Sequence, residues 1–182
     1  MSTSASIRVF DAIGDCLVHI YAQHDGYPEG RGLDIAQYLM RVTQNNKINH
    51  TLTNGDGDLA AQLLLTLKTT SLWGGIYLIP CSEKKTKWGW DYRYDIEVAD
   101  GNTVWIRAKE GRKNIFSGDV ASFVLFCNKA KGEDMKNIRI SRTNFFALLA
   151  ANPWLRDCCT QVTDFTVYCT VTSEQADKLS KA

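Results

Sequence analysis

Trp90-Asp91-Tyr92-Arg93-Tyr94-Asp95-Ile96-Glu97-Val98, then Ala99-Asp100-Gly101-Asn102, then Thr103-Val104-Trp105-Ile106-Arg107-Ala108, is the stretch that decides the fold class. Apolar and polar residues alternate on both sides of a turn of Asp, Gly and Asn, which predicts two antiparallel strands with one buried and one wetter face. Upstream, Ser6 to Ala12 and Cys16 to Gln23 read as a second hairpin around Ile13-Gly14-Asp15. In its second strand Cys16, Val18, Ile20 and Ala22 share the core face, which puts His19 on the polar side with Leu17, Tyr21 and Gln23. Ile76-Tyr77-Leu78-Ile79-Pro80 is continuously apolar and predicts a short central strand buried on both faces.

Two helices follow from 3.6-residue spacing. Leu33 to Thr43 repeats apolar residues at helical intervals with Asp34 in the first turn, and Asn45-Asn46-Lys47 ends it. A second runs from Leu59 to about Thr69, capped by Asp56 or Asp58; it is apolar almost all round and is expected to be the most buried helix. Asn114-Ile115-Phe116 and Ser122 to Cys127 read as further strands, and Ala130 to Asn137 as a loop. Ser141 to Ala151 reads as a helix capped by Ser141 or Thr143 and stopped at Asn152-Pro153, Phe165 to Val171 as a strand, and Ser173 to Lys181 as a terminal helix. The expectation is an α+β fold: a mainly antiparallel sheet on two core helices over residues 1–128. Residues 129–182 add a helix-strand-helix extension packed on it, in one compact unit.

Composition restricts function. The chain has 182 residues, 45% of them hydrophobic, and its 21 basic and 20 acidic residues nearly cancel. No global field favours nucleic acid or an anionic membrane. Only Glu83-Lys84-Lys85-Thr86-Lys87 followed by Trp88-Gly89-Trp90 interleaves bases with aromatics, and it reads as a solvated loop. No apolar run approaches ~18 residues and no leader-like segment is present, so a cytoplasmic location without membrane contact is expected. The six cysteines form no C-x-x-C pair and fit reduced, buried packing.

The segment His24-Asp25-Gly26-Tyr27-Pro28-Glu29-Gly30-Arg31-Gly32 is the best candidate ligand site. It joins a strand to a helix N-terminus, where backbone N–H groups and a dipole favour anions. His24, Asp25, Tyr27, Glu29 and Arg31 add an imidazole, two carboxylates, a phenol and a guanidinium. Arg31 would donate to an anion and Tyr27 would stack; the structural alternative is tight turns with Glu29 paired to Arg31. The glycine spacing is neither a dinucleotide fingerprint nor a P-loop. Asn54, Asp56 and Asp58 alternate like a calcium loop, but Leu59 and Leu65 stand where that motif needs Gly and Glu, so helix capping is favoured. No metal and no cofactor is expected. Hydrolysis by His24 with Asp25 or Glu29, or a metal held by His24 with His19 or His50, is the weaker reading.

The opening hairpin with its His24 to Gly30 loop, the Gly32-Leu33 helix start, Asn54-Gly55 before Leu59-Ala60-Ala61-Gln62-Leu63, Trp73-Gly74-Gly75-Ile76-Tyr77-Leu78 and the Tyr94 to Ile106 hairpin together resemble a family of small proteins. Its members occur in phages, prophages and microbial genomes, share a D-G-Y-P-x-G-x-G loop and have no established activity. The resemblance covers roughly residues 1 to 118 and implies a phage-encoded accessory protein in the host cytoplasm. Members carry a histidine where this chain has Arg31, which weighs against a histidine-based role. On this reading the chain binds a nucleotide-like small molecule through the His24–Gly32 loop, interfering with host defence. The alternative is a host protein as partner.

Overall fold

The computed structural model describes residues 3–71, 74–82, 89–130, 135–151, 159–162 and 166–179. Glu83 to Lys87 with Trp88, Trp73, the Asn152-Pro153 stop, Cys158, Phe165 and Lys181 lie outside them. Among the described residues no helix is long and apolar enough to cross a membrane. The fold is α+β and divides into two units, Met1–Cys127 and Asn128–Ala182.

In the first unit β1 (Ala5–Phe10) and β2 (Cys16–Ala22) form the opening hairpin. Its turn is held by the Asp11 carboxylate, which accepts the N–H groups of Ile13 and Asp15. After α1 (Leu33–Val42), β3 (Thr43–Gln44) and β4 (Lys47–Ile48) make a small ribbon. Asn45 and Asn46 turn it at φ 51° and 60°, the left-handed pair that a two-residue hairpin requires. Then come α2 (Gly55–Thr70), β5 (Ile76–Leu78), the hairpin β6 (Tyr92–Ala99) and β7 (Thr103–Glu110), β8 (Lys113–Gly118) and α3 (Val120–Ala130). The strand order is β3-β4-β7-β6-β1-β2-β5, with β8 also on β7. Among the described strands every pairing is antiparallel except β1 with β6, which run parallel with Ile7 beside Tyr94 and Arg8 beside Asp95.

Alternation places Ala5, Ile7, Val9, Ile20, Tyr94, Ile96, Val104 and Ile106 on one face, in a single core with Ile35, Leu39, Leu59, Leu63, Leu67 and Phe123 of the helices. Each such Ile, Leu or Phe contributes about 1.5–3 kcal/mol by leaving water.

Several readings are corrected. Ser122 to Cys127 is helical: Asp119 caps α3 through its carboxylate to the Ser122 N–H at 2.8 Å, and Val120, Phe123, Val124 and Cys127 bury one helical stripe. Residues 76–78 form an edge strand, with Ile76 buried but Tyr77 and Leu78 exposed, since β2 is the only described strand pairing with β5. The α2 helix buries Leu59, Ala60, Leu63 and Leu67 while Leu65 stands 63% exposed, so it is one-sided rather than apolar all round. Its N-terminus is Asn54, whose N–H donates to the Asp58 carboxylate at 2.8 Å. His19, placed by pattern on the polar side, is buried, because the second sheet face is itself covered there by Trp90 and Pro80.

The second unit is a three-stranded antiparallel sheet, β10-β11-β9, of β9 (Met135–Ser141), β10 (Cys159–Val162) and β11 (Thr166–Thr172). The strand β9 begins inside the stretch read as a loop up to Asn137. Helices α4 (Arg142–Ala151) and α5 (Ser173–Leu179) join it, and Phe145, Val167, Cys169 and Val171 form its core. The Ser141 hydroxyl accepts the Asn144 N–H at 3.3 Å, the cap expected for α4.

Candidate functional site

The His24–Gly32 loop is built by close backbone contact. Asp25 adopts φ 58°, and the Gly26 N–H donates to the Thr3 carbonyl at 2.9 Å while the buried Tyr94 hydroxyl donates to the Gly26 carbonyl at 2.9 Å. A Cβ at Gly26 would lie 2.5 Å from the Ser4 carbonyl, and one at Gly30 would lie 2.4 Å from the Asp25 oxygen. A wide π-type turn over Pro28–Gly32 then leads into α1. The N–H groups of Gly30 and Gly32 donate to the Tyr27 carbonyl, and that of Arg31 to the Asp25 carbonyl at 2.7 Å. The N–H groups of Gly26, Gly30, Arg31 and Gly32, which an anion would need, are therefore already taken by backbone carbonyls.

The side chains point the same way. Arg31 is buried; its guanidinium donates to the Asp34 carboxylate at 2.7 Å and to the Thr70 hydroxyl at 3.4 Å, and its Nε has no partner. It does not pair with Glu29. His24, Asp25 and Glu29 are exposed, and the half-buried Tyr27 donates its hydroxyl to Asp25 at 3.2 Å. The Asp25 carboxylate, with burial, pushes the Tyr27 phenol pKa up. With Arg31 neutralised by Asp34, the loop's outer surface is acidic.

The histidines are held apart. His19 lies 2.8 Å from the Ser6 hydroxyl through Nε2 and 3.3 Å from the Pro80 carbonyl through Nδ1. A carbonyl only accepts, so Nδ1 carries a proton toward Pro80, and in that neutral tautomer Nε2 accepts a hydrogen bond from the Ser6 hydroxyl. His50 bonds to Asn102 at 2.8 Å, in the β6–β7 turn. No cluster of three metal-ligating side chains exists among the described residues. Asp58 accepts from Asn54, Thr53 and Gln62, which holds its carboxyl below the usual range, and Asp56 accepts from Gly57; both serve the start of α2.

The strongest arrangement of charge lies on the sheet face opposite the helices. Pairing sets Arg8 of β1 beside Asp95 of β6, and Asp95 opposite Arg107 of β7. Asp95 is 4% exposed and receives two guanidiniums: Arg8 Nε at 2.8 Å, and Arg93 Nε at 2.9 Å with its terminal nitrogen at 2.8 Å. Burial raises the Asp95 pKa, but the hydrogen bonds and charges of Arg8 and Arg93 outweigh it and leave the carboxyl below its ordinary value. The Arg8 guanidinium also sits 4.7 Å above the Phe10 ring. Next to this triad Arg107 pairs with Glu97, and half-buried Lys109 has no ion-pair partner among the described residues.

These groups line an open groove of about 440 Å³ between the β1–β2 turn and strands β6 and β7. Four cations (Arg8, Arg93, Arg107 and Lys109) face three carboxylates (Asp11, Asp95 and Glu97) there, an excess of positive charge. Trp105, 43% exposed, lies opposite Glu97 on the same face. Sequence reasoning missed this site, although Arg93-x-Asp95-x-Glu97 and Trp105-x-Arg107-x-Lys109 put the charges on one face. Arg8, which completes it, arrives from 87 residues away across the parallel pairing. Compared with known proteins, the chain matches no family model, no curated protein and no solved structure.

Proposed function

We propose that this chain is a binding protein for a small anionic, nucleotide-like ligand, taken in the groove over β1, β6 and β7 rather than in the His24–Gly32 loop. The observation that carries the reading is the Arg8–Asp95–Arg93 triad, in which one buried carboxylate fixes two guanidiniums and leaves one positive charge uncompensated. Guanidiniums already held in place lose little freedom when they meet a phosphate or carboxylate. Lys109 and Arg107 add cations at the rim, and Trp105 offers a ring on which a base can stack. A groove of about 440 Å³ is within the size range of small-ligand sites. The loop, in this account, anchors α1 to β1 and β6.

The test is a thermal-shift screen with nucleotides, cyclic nucleotides and inorganic phosphate, repeated on Lys109→Gln. A ligand at about 100 times its Kd adds ~2.7 kcal/mol to stability. The expected result is a shift by one nucleotide class that Lys109→Gln reduces at least several-fold without altering the melting temperature of the free protein. No shift by any anion, or one unchanged in Lys109→Gln, overturns the reading.

A second reading, a protein partner, is favoured by β5, which pairs only with β2 among the described strands and exposes Tyr77 and Leu78 by 51% and 62%. Host-defence interference rests on the family resemblance alone. Hydrolysis by His24 with Asp25 or Glu29 has the least support, because the Asp25 carboxylate is bonded to Tyr27 and the loop holds no Ser, Thr or Cys.

A further inference from the structure

The groove is not uniform along its length. Strand pairing sorts its side chains into cross-strand rows, spaced roughly 7 Å because same-face residues stand two positions apart. Arg93 and Lys109 face each other in the first row, Arg8, Asp95 and Arg107 share the second, and Phe10, Glu97 and Trp105 share the third. Beyond them Ala12, Gly14 and Ala99 end the groove without charge. Charge thus falls along it: two cations, then Arg8 and Arg107 against Asp95, then one carboxylate. The donors and acceptors left over follow the same gradient. Asp95 takes Nε and Nη2 of both Arg8 and Arg93, so the Nη1 group of each has no partner among the described residues. Of the carboxylates, Asp95 is saturated by these guanidiniums, and Asp11 accepts the Ile13 and Asp15 N–H groups. Glu97 pairs with Arg107 through Oε1 and keeps 33% of its side chain exposed, and a carboxylate has about four acceptor positions. Beside it the Trp105 Nε1–H donates to the Ser117 hydroxyl at 3.2 Å, which holds the ring by its edge.

We propose that the groove takes a nucleoside 5′-phosphate in one direction only, with Glu97 as the residue that reads its ribose hydroxyls, an inference that rests on the anion reading above. The phosphate lies against Lys109 and the Nη1 groups of Arg8 and Arg93, which already stand in place. The 2′- and 3′-hydroxyls are donors, and they meet the Glu97 carboxylate further along. The base then falls on the Trp105 ring, in the same row as Glu97. A hydroxyl bonded to an ionised acceptor is held more strongly than one bonded to a neutral group, which is why a carboxylate suits a ribose. The reverse direction sets phosphate against Glu97, like charge on like charge, and gives the free carboxylate oxygen no donor. A 3′,5′-cyclic phosphate ties up one of the two hydroxyls and should bind less well than the open 5′-monophosphate.

The experiment measures, by calorimetric titration, the Kd of each common nucleoside 5′-monophosphate and of its 2′,3′-dideoxy form, on the full chain and on Glu97→Gln. On the parent the ribose form is expected to bind about tenfold more tightly than the dideoxy form, the worth of a hydrogen bond to a charged acceptor. In Glu97→Gln that ratio should fall toward one. The ratio is the readout because the variant also frees Arg107, whose charge strengthens both ligands alike. The Glu97–Arg107 pair is 33% and 47% exposed, so its loss costs the fold little. Glu97→Asp, which keeps the charge but draws the carboxylate back, gives a second test of the ratio should the amide fail to fold. Equal affinity of ribose and dideoxy forms for the parent, or a ratio unchanged in the variants, overturns the role of Glu97 while the anion reading stands. Absence of binding by every nucleotide removes the anion reading, and this inference with it.

Discussion

Replacing Asp95 by Asn is the most searching test of the charge arrangement on the sheet face. The amide keeps one acceptor oxygen but turns an NH2 toward guanidinium donors, and it removes the charge that Arg8 and Arg93 share. Breaking a fully buried ion pair costs about 3–5 kcal/mol. The Arg8 and Arg93 side chains are 17% and 32% exposed, so water recovers part of their solvation and the expected cost falls to about 2–3 kcal/mol. With a urea slope of about 2 kcal/mol/M, the unfolding midpoint should drop by roughly 1–1.5 M. The pH dependence fixes the cause. Because the folded-state pKa of Asp95 is lowered, its stabilisation is complete above the unfolded carboxylate value near ~4 and is lost as pH falls through the folded value. The gap between parent and variant, measured by urea titration, should thus be full at pH 7 and close as the pH falls below about 4. A gap that persists unchanged at low pH would refute the electrostatic account, and the absence of any gap at pH 7 would refute the triad's structural role.

Two further substitutions separate the loop from the groove. Gly26→Ala puts a Cβ 2.5 Å from the Ser4 carbonyl and 2.8 Å from the Ala5 nitrogen, where only backbone could yield. The expected loss is on the order of 3 kcal/mol, a melting temperature roughly 10 °C lower by circular dichroism, and a variant as stable as the parent would contradict the contact. Arg31→Ala removes the buried pair to Asp34 and should cost about 1–2 kcal/mol while leaving the anion-induced thermal shift intact. Parent-like stability with a lost ligand response would return the anion site to the loop.

Much of the fold was legible in the chain. The two hairpins, α1 and the capped start of α4 are local patterns, and local patterns need no knowledge of neighbours. Where reading failed, a neighbour decided. Ser122-Phe123-Val124-Leu125-Phe126-Cys127 has strand composition, yet the Asp119 cap and the 120, 123, 124, 127 stripe make it a helix against the sheet. The apolar run at 76–80 has the composition of a central strand but falls at the edge, which only strand order reveals. His19 belongs to the polar register of β2, and Trp90 and Pro80 cover that register. At the loop, glycine density was read as openness toward a ligand. The same glycines let one backbone press against another, and the guanidinium meant for solvent turned inward to Asp34. The groove escaped notice because its central carboxylate and Arg8 become partners only when β1 finds β6.

That parallel seam has a bearing on how the chain reaches its native state. On one side lies the hairpin of β1 and β2, on the other the meander of β6, β7 and β8, each closed by nearby residues. Their union waits for segments 87 positions apart, and distant pairings are slow to form because loop entropy is lost before contacts compensate it. As the chain leaves the ribosome, β1 is complete long before its partner exists and must keep its Ile7 and Val9 edge unpaired for the time taken to make β6. A shortened chain ending ahead of Tyr92 would keep that edge open for good, and it is there, in the half-built sheet, that self-association would begin.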